Sequence, residues 1–232
     1  MRMDCPSGGQ AEHVRVPLAS GTLVKTEWPS SWGMLRNLLT LSDVIPTGHH
    51  AAVCAGVRPG STVVVVGDGA VGLCGVLAAR RLGSERVIAM SRRPDRQALA
   101  TRFGATDPVS ERGREGVDAV RELTGGVGAD SVLECVGTEE AVDQAVRCAQ
   151  PGGQVGFVGL HHSGSSVQLS RLFAANLGLR GGAAPVRAYI DDLLAPGTVF
   201  DREVPMAHVA NPYAAMDERR AIKALLYTPK YR

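Results

Sequence analysis

Aromatic residues are scarce in this chain of 232 residues, at 4%, and neither charge sign dominates: 25 Lys and Arg stand against 23 Asp and Glu. With a formal net charge of +2 and no long basic run, nucleic acid is not an expected partner. The few aromatics fit an α/β enzyme better than an aromatic-rich β-sandwich. The cysteines Cys5, Cys54, Cys74, Cys135 and Cys148 are scattered, and none forms a C-x-x-C pair, so a structural metal cluster is not expected. Cys74 and Cys135 lie in strongly apolar segments, where cysteine usually serves as a small buried hydrophobe. No apolar run is long enough to span a bilayer, and the opening residues Met1 to Pro6 lack the apolar stretch of a signal peptide. The expectation is a cytoplasmic protein without a membrane partner.

What is present is 44% hydrophobic residues and 28 glycines, composition for a real core with many tight turns. The run Thr62 to Val66, ended by Gly67, has the unbroken β-branched character of a strand buried on both faces of a parallel sheet. A helix is expected over 70–82, closed by Gly83, then a strand over 86–90 and a helix over 95–103 stopped by Gly104. A strand over 130–136, a helix over 139–149 ended by Pro151-Gly152-Gly153, a strand over 154–158 and a last one over 177–180 complete the alternation. Such alternation implies right-handed βαβ units around one parallel sheet, a doubly wound Rossmann architecture. The expected division is a first segment over 1–45, a central α/β domain over 46–200 and a last segment over 201–232. The first segment carries one strand candidate, Gln10 to Pro17, and a loop broken by Pro29 and Gly33. The last carries a helical stretch through Tyr213–Met216 and the short run Ala221–Leu226.

The turn Gly67-Asp68-Gly69-Ala70-Val71-Gly72 matches G-x-G-x-x-G, follows a buried strand and opens an apolar helix, the context that gives this short motif meaning. Gly67 permits the tight turn, Gly69 lets the backbone approach a pyrophosphate, and Gly72 lets helix and strand pack closely. The N–H groups of Ala70 and Val71 at the helix mouth then point at the phosphates. Nineteen positions beyond Gly72, where an Asp or Glu would bind the ribose hydroxyls of NAD, the chain has Ser91, followed by Arg92 and Arg93, with Arg96 one turn on. A hydroxyl and guanidinium groups suit a 2′-phosphate, so NADP is favoured, with NAD the alternative.

With these residues the chain resembles the zinc-dependent alcohol dehydrogenases of the medium-chain dehydrogenase/reductase superfamily. The resemblance rests also on Gly9–Val14, Leu41–Gly48, Phe103–Asp107, Gly128–Asp130, Glu134–Gly137 and Ala221–Lys223, and covers nearly all of residues 9–228. It implies that the two end segments are remnants of a GroES-like β domain flanking the Rossmann domain. It implies that Asp43 stands where the family has a third catalytic-zinc ligand, and that Thr47 lies beside the nicotinamide. Val136, Gly137, Val158, Gly159 and Leu160 would line the ribose and nicotinamide pocket, and Lys223 would contact the pyrophosphate. The family's catalytic Cys, its Gly-His-Glu motif and its four-cysteine lobe have no counterpart here, and the connection from Leu194 to Gly197 is shorter than in relatives. Zinc is therefore expected of the family and not of this chain, although His49 or His50 would be able to replace a lost ligand or take a catalytic part, and His161-His162 follows a strand end.

The reaction implied is hydride transfer between an alcohol or aldehyde and the nicotinamide. The alternatives are a zinc-free NADPH reductase of an enone or quinone, and a non-catalytic NADP-binding or dimerisation module. A small-molecule substrate and a homodimer or larger homo-oligomer are expected, since relatives pair their sheets edge to edge and Leu177–Gly182 resembles that edge.

Overall fold

The structure is a computed structural model that describes residues 11, 13–26, 31–160, 167–193 and 202–227. Two short helices come first, α1 (Ala19–Thr22) and α2 (Trp32–Thr40), followed by α3 (Val44–Cys54). Strands and helices then alternate: β1 (Thr62–Val66), α4 (Ala70–Arg81), β2 (Arg86–Met90), α5 (Pro94–Phe103), β3 (Asp107–Val109) and α6 (Gly113–Leu123). The alternation continues with β4 (Ala129–Glu134), α7 (Glu139–Cys148), β5 (Ala149–Phe157), α8 (Leu169–Ala175), β6 (Gly178–Gly181) and α9 (Val186–Leu193). The described chain closes with β7 (Arg202–Pro205), α10 (Ala210–Asp217) and β8 (Ala224–Tyr227). These elements fall into two units, Thr40–Pro196 and a second formed by 1–39 with 197–232.

The larger unit is built on a six-stranded sheet in the order β3-β2-β1-β4-β5-β6, parallel throughout. Val63 to Val66 are wholly buried, as are Val87, Ile88, Val132, Leu133 and Val155, because helices cover both faces and leave no polar alternation. Each such side chain contributes about 1.5–3 kcal/mol of burial. Strand alternation divides them: Val64, Val66, Ile88, Met90 and Val132 join one cluster with Val117 and Val120 of α6 and Val142 and Val146 of α7. On the opposite face, Gly75 of α4 sits against Leu133 and Val65, and Gly48 of α3 backs directly onto the Cys74–Gly75 backbone. That close helix crossing fixes where the first turn of α3 lies.

Local signals set the ends of the elements. Pro94 opens α5, and Gly104, at φ 113°, ends it in the left-handed conformation. Thr138 caps α7, its hydroxyl accepting from the Ala141 N–H at 3.2 Å, with Glu139 and Glu140 in the first turn to favour the helix dipole.

The strand order reverses direction between β1 and β4, whose following helices lie on opposite faces. The carboxyl ends of those two strands therefore form the crevice at which open α/β sheets receive ligands.

The smaller unit departs from expectation in two places. Among the described residues of 10–17 there is no strand, and Val14 and Val16 are exposed; a strand persists only where a neighbour completes its ladder, and these residues pair with none. Gly33 lies inside α2 instead of a loop. The cost of one helical glycine, about 1 kcal/mol, is offset by the anchors of that helix. Trp32 Nε1 donates to Glu203 Oε2 at 3.2 Å, Arg36 pairs with Glu203 at 2.7 Å, and the Trp32 ring meets Tyr227 edge-on at 6.4 Å. Glu203 lies on β7, which pairs in parallel with β8. The run Ala221–Leu226 thus yields a strand from Ala224.

Candidate nucleotide site

The glycine turn crosses the carboxyl end of β1. Gly67 has φ 122°, a backbone state that disfavours any side chain, and its missing Cβ would press on Val136 at 3.0 Å. A Cβ on Gly72 would overlap the Gly67 carbonyl. These two glycines are demanded by the fold itself. Gly69 is different: its φ of −80° and ψ of −177° are open to any residue, and nothing lies within 4 Å of where its Cβ would be. As N-cap of α4 it offers no side-chain acceptor, and the first turn holds no acidic residue. The mouth of α4 thus has open space in front of Gly69 and no acidic residue in its first turn to compete for an anion.

Beside the turn, the loops after β4 and β5 meet backbone to backbone. Glu134, wholly buried at the end of β4, accepts from the Val136 and Gly137 N–H groups through one oxygen, each at 2.8 Å. The Glu134 carbonyl accepts from Val158 N–H at 3.0 Å. Gly137 has φ 87°, and a Cβ there would lie 2.6 Å from the Leu160 carbonyl; one on Gly159 would strike Gly137 N and lie 2.6 Å from Glu134 Oε2. Val136, Gly137, Val158, Gly159 and Leu160 therefore converge as one wall next to Gly67. Val136 and Leu160 keep apolar side chains exposed, Leu160 at 71%. Cys135, next in line, is held protonated by burial first and then by Glu134.

At the end of β2 the arginines are arranged differently from the sequence expectation. The Ser91 hydroxyl donates to Asp68 Oδ2 at 2.8 Å. Arg96 donates to the Asp68 carbonyl at 3.0 Å and to Asp68 Oδ1 at 3.3 Å. Arg112, from the start of α6, reaches to 3.9 Å from Oδ2. Arg93 instead forms an exposed pair with Asp95 at 3.1 Å, which raises its own pKa and lowers that of Asp95 through their mutual hydrogen bond. Arg92 is exposed. Ser91 and Arg96 thus turn inward, because a carboxylate within the glycine turn competes for them. Asp68 and Arg112 escaped the sequence reading; a carboxylate at a variable motif position, before a run of arginines, was the available signal.

On α3, Asp43 is exposed at the helix start, and the Thr47 hydroxyl donates to its Oδ1 at a long 3.4 Å. His49 and His50 point to α9. The His49 ring meets Tyr189 edge-on with centroids 4.9 Å apart, and its buried Nδ1 has no hydrogen-bond partner among the described residues. His50 Nδ1 is 2.9 Å from the Tyr189 hydroxyl, and its Nε2 is 3.5 Å from Cys54 Sγ. Burial lowers both imidazole pKa values, helped by Arg81 at His49 and Arg180 at His50. Burial raises the Cys54 thiol and the Tyr189 phenol. Among the described residues no group of three His, Cys, Asp or Glu is placed to hold a metal ion. His161-His162 and the Leu194–Gly197 connection lie outside the described residues. Lys223 belongs to the smaller unit, immediately before β8.

Comparison with known proteins identifies the family and the fold. A family model described as zinc-binding dehydrogenase matches residues 70–194. The NADP-dependent isopropanol dehydrogenase of Clostridium beijerinckii is 33% identical over 187 residues, 79% of this chain and 53% of that protein. Zinc-type alcohol dehydrogenase B of Aspergillus flavus is 32% identical over 234 residues, 94% of this chain and 54% of that protein. The solved alcohol dehydrogenase of a Thermus species superimposes with a TM-score of 0.87 at 30% identity, covering 95% of this chain and 66% of its own. The chain spans about half the length of the curated relatives it matches. By motif, fold and similarity the chain belongs to the zinc-binding dehydrogenase family, the zinc-type alcohol dehydrogenase branch of the medium-chain dehydrogenase/reductase superfamily.

Proposed function

We propose that this chain binds a nicotinamide dinucleotide across the β1–β4 crevice, with NADP preferred, and serves hydride transfer between an alcohol or aldehyde and that cofactor. The observation that carries the reading is Gly69, a glycine that the surrounding protein does not need and whose open front leaves the α4 amides accessible to a diphosphate. Gly67 to Gly72 would hold the pyrophosphate. Ser91, Arg92 and Arg96 would face the adenosine ribose, and Val136, Gly137, Val158, Gly159 and Leu160 would line the nicotinamide half and keep water from it. When bound, the cofactor supplies or takes the hydride. Thr47 is the candidate for holding a substrate or ribose hydroxyl. His49, kept neutral by burial, is the candidate proton acceptor.

A second reading, reduction of an enone or quinone without metal, is favoured by the exposed apolar side chains of Val136 and Leu160 at the crevice mouth, which suit a flat unsaturated skeleton. Calorimetry with NADP and NAD, metal analysis of the purified protein, and NADPH turnover against alcohols, aldehydes, enones and quinones separate the readings. Turnover of alcohols with about one zinc per chain supports the first, and metal-independent oxidation of NADPH by enones supports the second. Cofactor binding without turnover leaves a nucleotide-binding module. No heat with either cofactor refutes all three.

A further inference from the structure

Asp68 occupies the second position of the glycine turn, yet its carboxylate is the meeting point of three other elements. Ser91 comes from the end of β2, Arg96 from α5 and Arg112 from the β3–α6 junction. The cluster is built, not incidental to the surface: side-chain exposure is 11% for Asp68, 7% for Arg96 and 22% for Arg112, and Ser91 is buried. Turn geometry does not require an acid here. Arg96 also donates to the Asp68 backbone carbonyl at 3.0 Å, a bond that any residue at this position would accept. The carboxylate therefore adds charge more than it adds a clasp.

We infer that Asp68 is a specificity-determining residue that offsets the guanidinium charge of Arg96 and Arg112 and so holds down the preference for NADP over NAD. The inference rests on the cofactor reading above. An NAD site ordinarily places its carboxylate at the end of the second strand, where it repels a 2′-phosphate. In this chain that strand ends in Ser91, and the carboxylate arrives at the same hydroxyl from the neighbouring turn. The guanidiniums of Arg96 and Arg112 attract a phosphate, while the Asp68 carboxylate beside them opposes that attraction at short range in a poorly solvated cluster. The ligand class decided by this balance is the 2′-phosphorylated against the unphosphorylated adenosine ribose.

The test uses the Asp68→Asn and Arg112→Gln variants, with dissociation constants for NADP and NAD measured by calorimetry and melting temperature as the check on folding. Asn keeps the size and an acceptor for Ser91. Asp68→Asn is expected to raise the ratio of the NAD to the NADP dissociation constant by about ten-fold, mainly through tighter NADP binding, and Arg112→Gln to lower it by about ten-fold. A ratio that Asp68→Asn leaves within about two-fold of the parent, or lowers, overturns the inference and makes Asp68 a positioning residue for Arg96. If Asp68→Asn fails to fold, Arg112→Gln decides: an unchanged ratio overturns the inference. A parent chain that binds neither cofactor overturns the underlying cofactor reading as well, whereas binding of both with an unmoved ratio sinks this inference alone.

Discussion

Replacing Gly69 by Ala separates cofactor binding from folding more cleanly than any other change in the turn. The backbone at Gly69 is accessible to alanine and the added methyl meets no protein atom within 4 Å. Restricting the unfolded chain stabilises by about 0.4–1 kcal/mol, while exchanging glycine for alanine at an N-cap costs a comparable amount, about 0.5–1 kcal/mol. The two nearly cancel, so the melting temperature is expected to stay within about 4 °C of the parent. Binding responds differently, because the methyl stands where the diphosphate must approach the amides. Loss of one or two charge-assisted hydrogen bonds, about 1.5–3 kcal/mol each, weakens binding by about 10-fold to about 10,000-fold. Gly72→Ala is the contrast: its methyl overlaps the Gly67 carbonyl, so it should lower stability by about 1–3 kcal/mol or more through overpacking. Calorimetric titration with NADP and NAD beside thermal melts reads both quantities. A folded Gly69→Ala protein that binds cofactor within about three-fold of the parent would refute the reasoning.

Three other consequences are open to direct measurement. Removing the Glu134 side chain (Glu134→Ala) leaves the Val136 and Gly137 N–H groups without their acceptor and should cost about 2–5 kcal/mol, seen as a lower urea midpoint together with weakened cofactor binding. Because burial depresses the folded pKa of His49 and His50 below 6.5, their unfolded forms take up protons first as pH falls. Their contribution is complete above about pH 6.5 and declines below it, so the parent should lose more melting temperature between pH 7.5 and 5.5 than the His49→Gln, His50→Gln double variant; equal losses would count against this. On α8, Phe173 and Leu169 are exposed at 90% and 75%, just before β6, the last strand in the sheet order, apolar surface that favours association. Light scattering should give a dimer or larger species for the parent and a smaller one for Phe173→Glu, and a monomeric parent would refute it.

How much of this was legible in the sequence depended on whether the cause was local. β1 and β2 are near-continuous apolar runs because both sheet faces are covered, and such runs can be read directly. β3 offers three residues, one of them Pro108, and does not stand out without the neighbours that bury it, whereas α6 carries Val117, Val120 and Leu123 at helical spacing on one side, an amphipathic signal that the sequence does hold. Pro151-Gly152-Gly153 reads as a turn, yet β5 passes through it, because pairing with β4 absorbs the irregularity as a register shift near Ala129. The same distinction divides the site. Gly67 and Gly72 announce themselves, since their need for no side chain arises within the motif. Ser91 and Arg96 were visible as residue types, but their direction was not, because it is decided by Asp68 from the turn after β1 and by Arg112 from a third element. In this crevice the spacing of residues reveals which polar groups are available, while the contacts of one turn carboxylate with Ser91, Arg96 and Arg112 determine which way they turn.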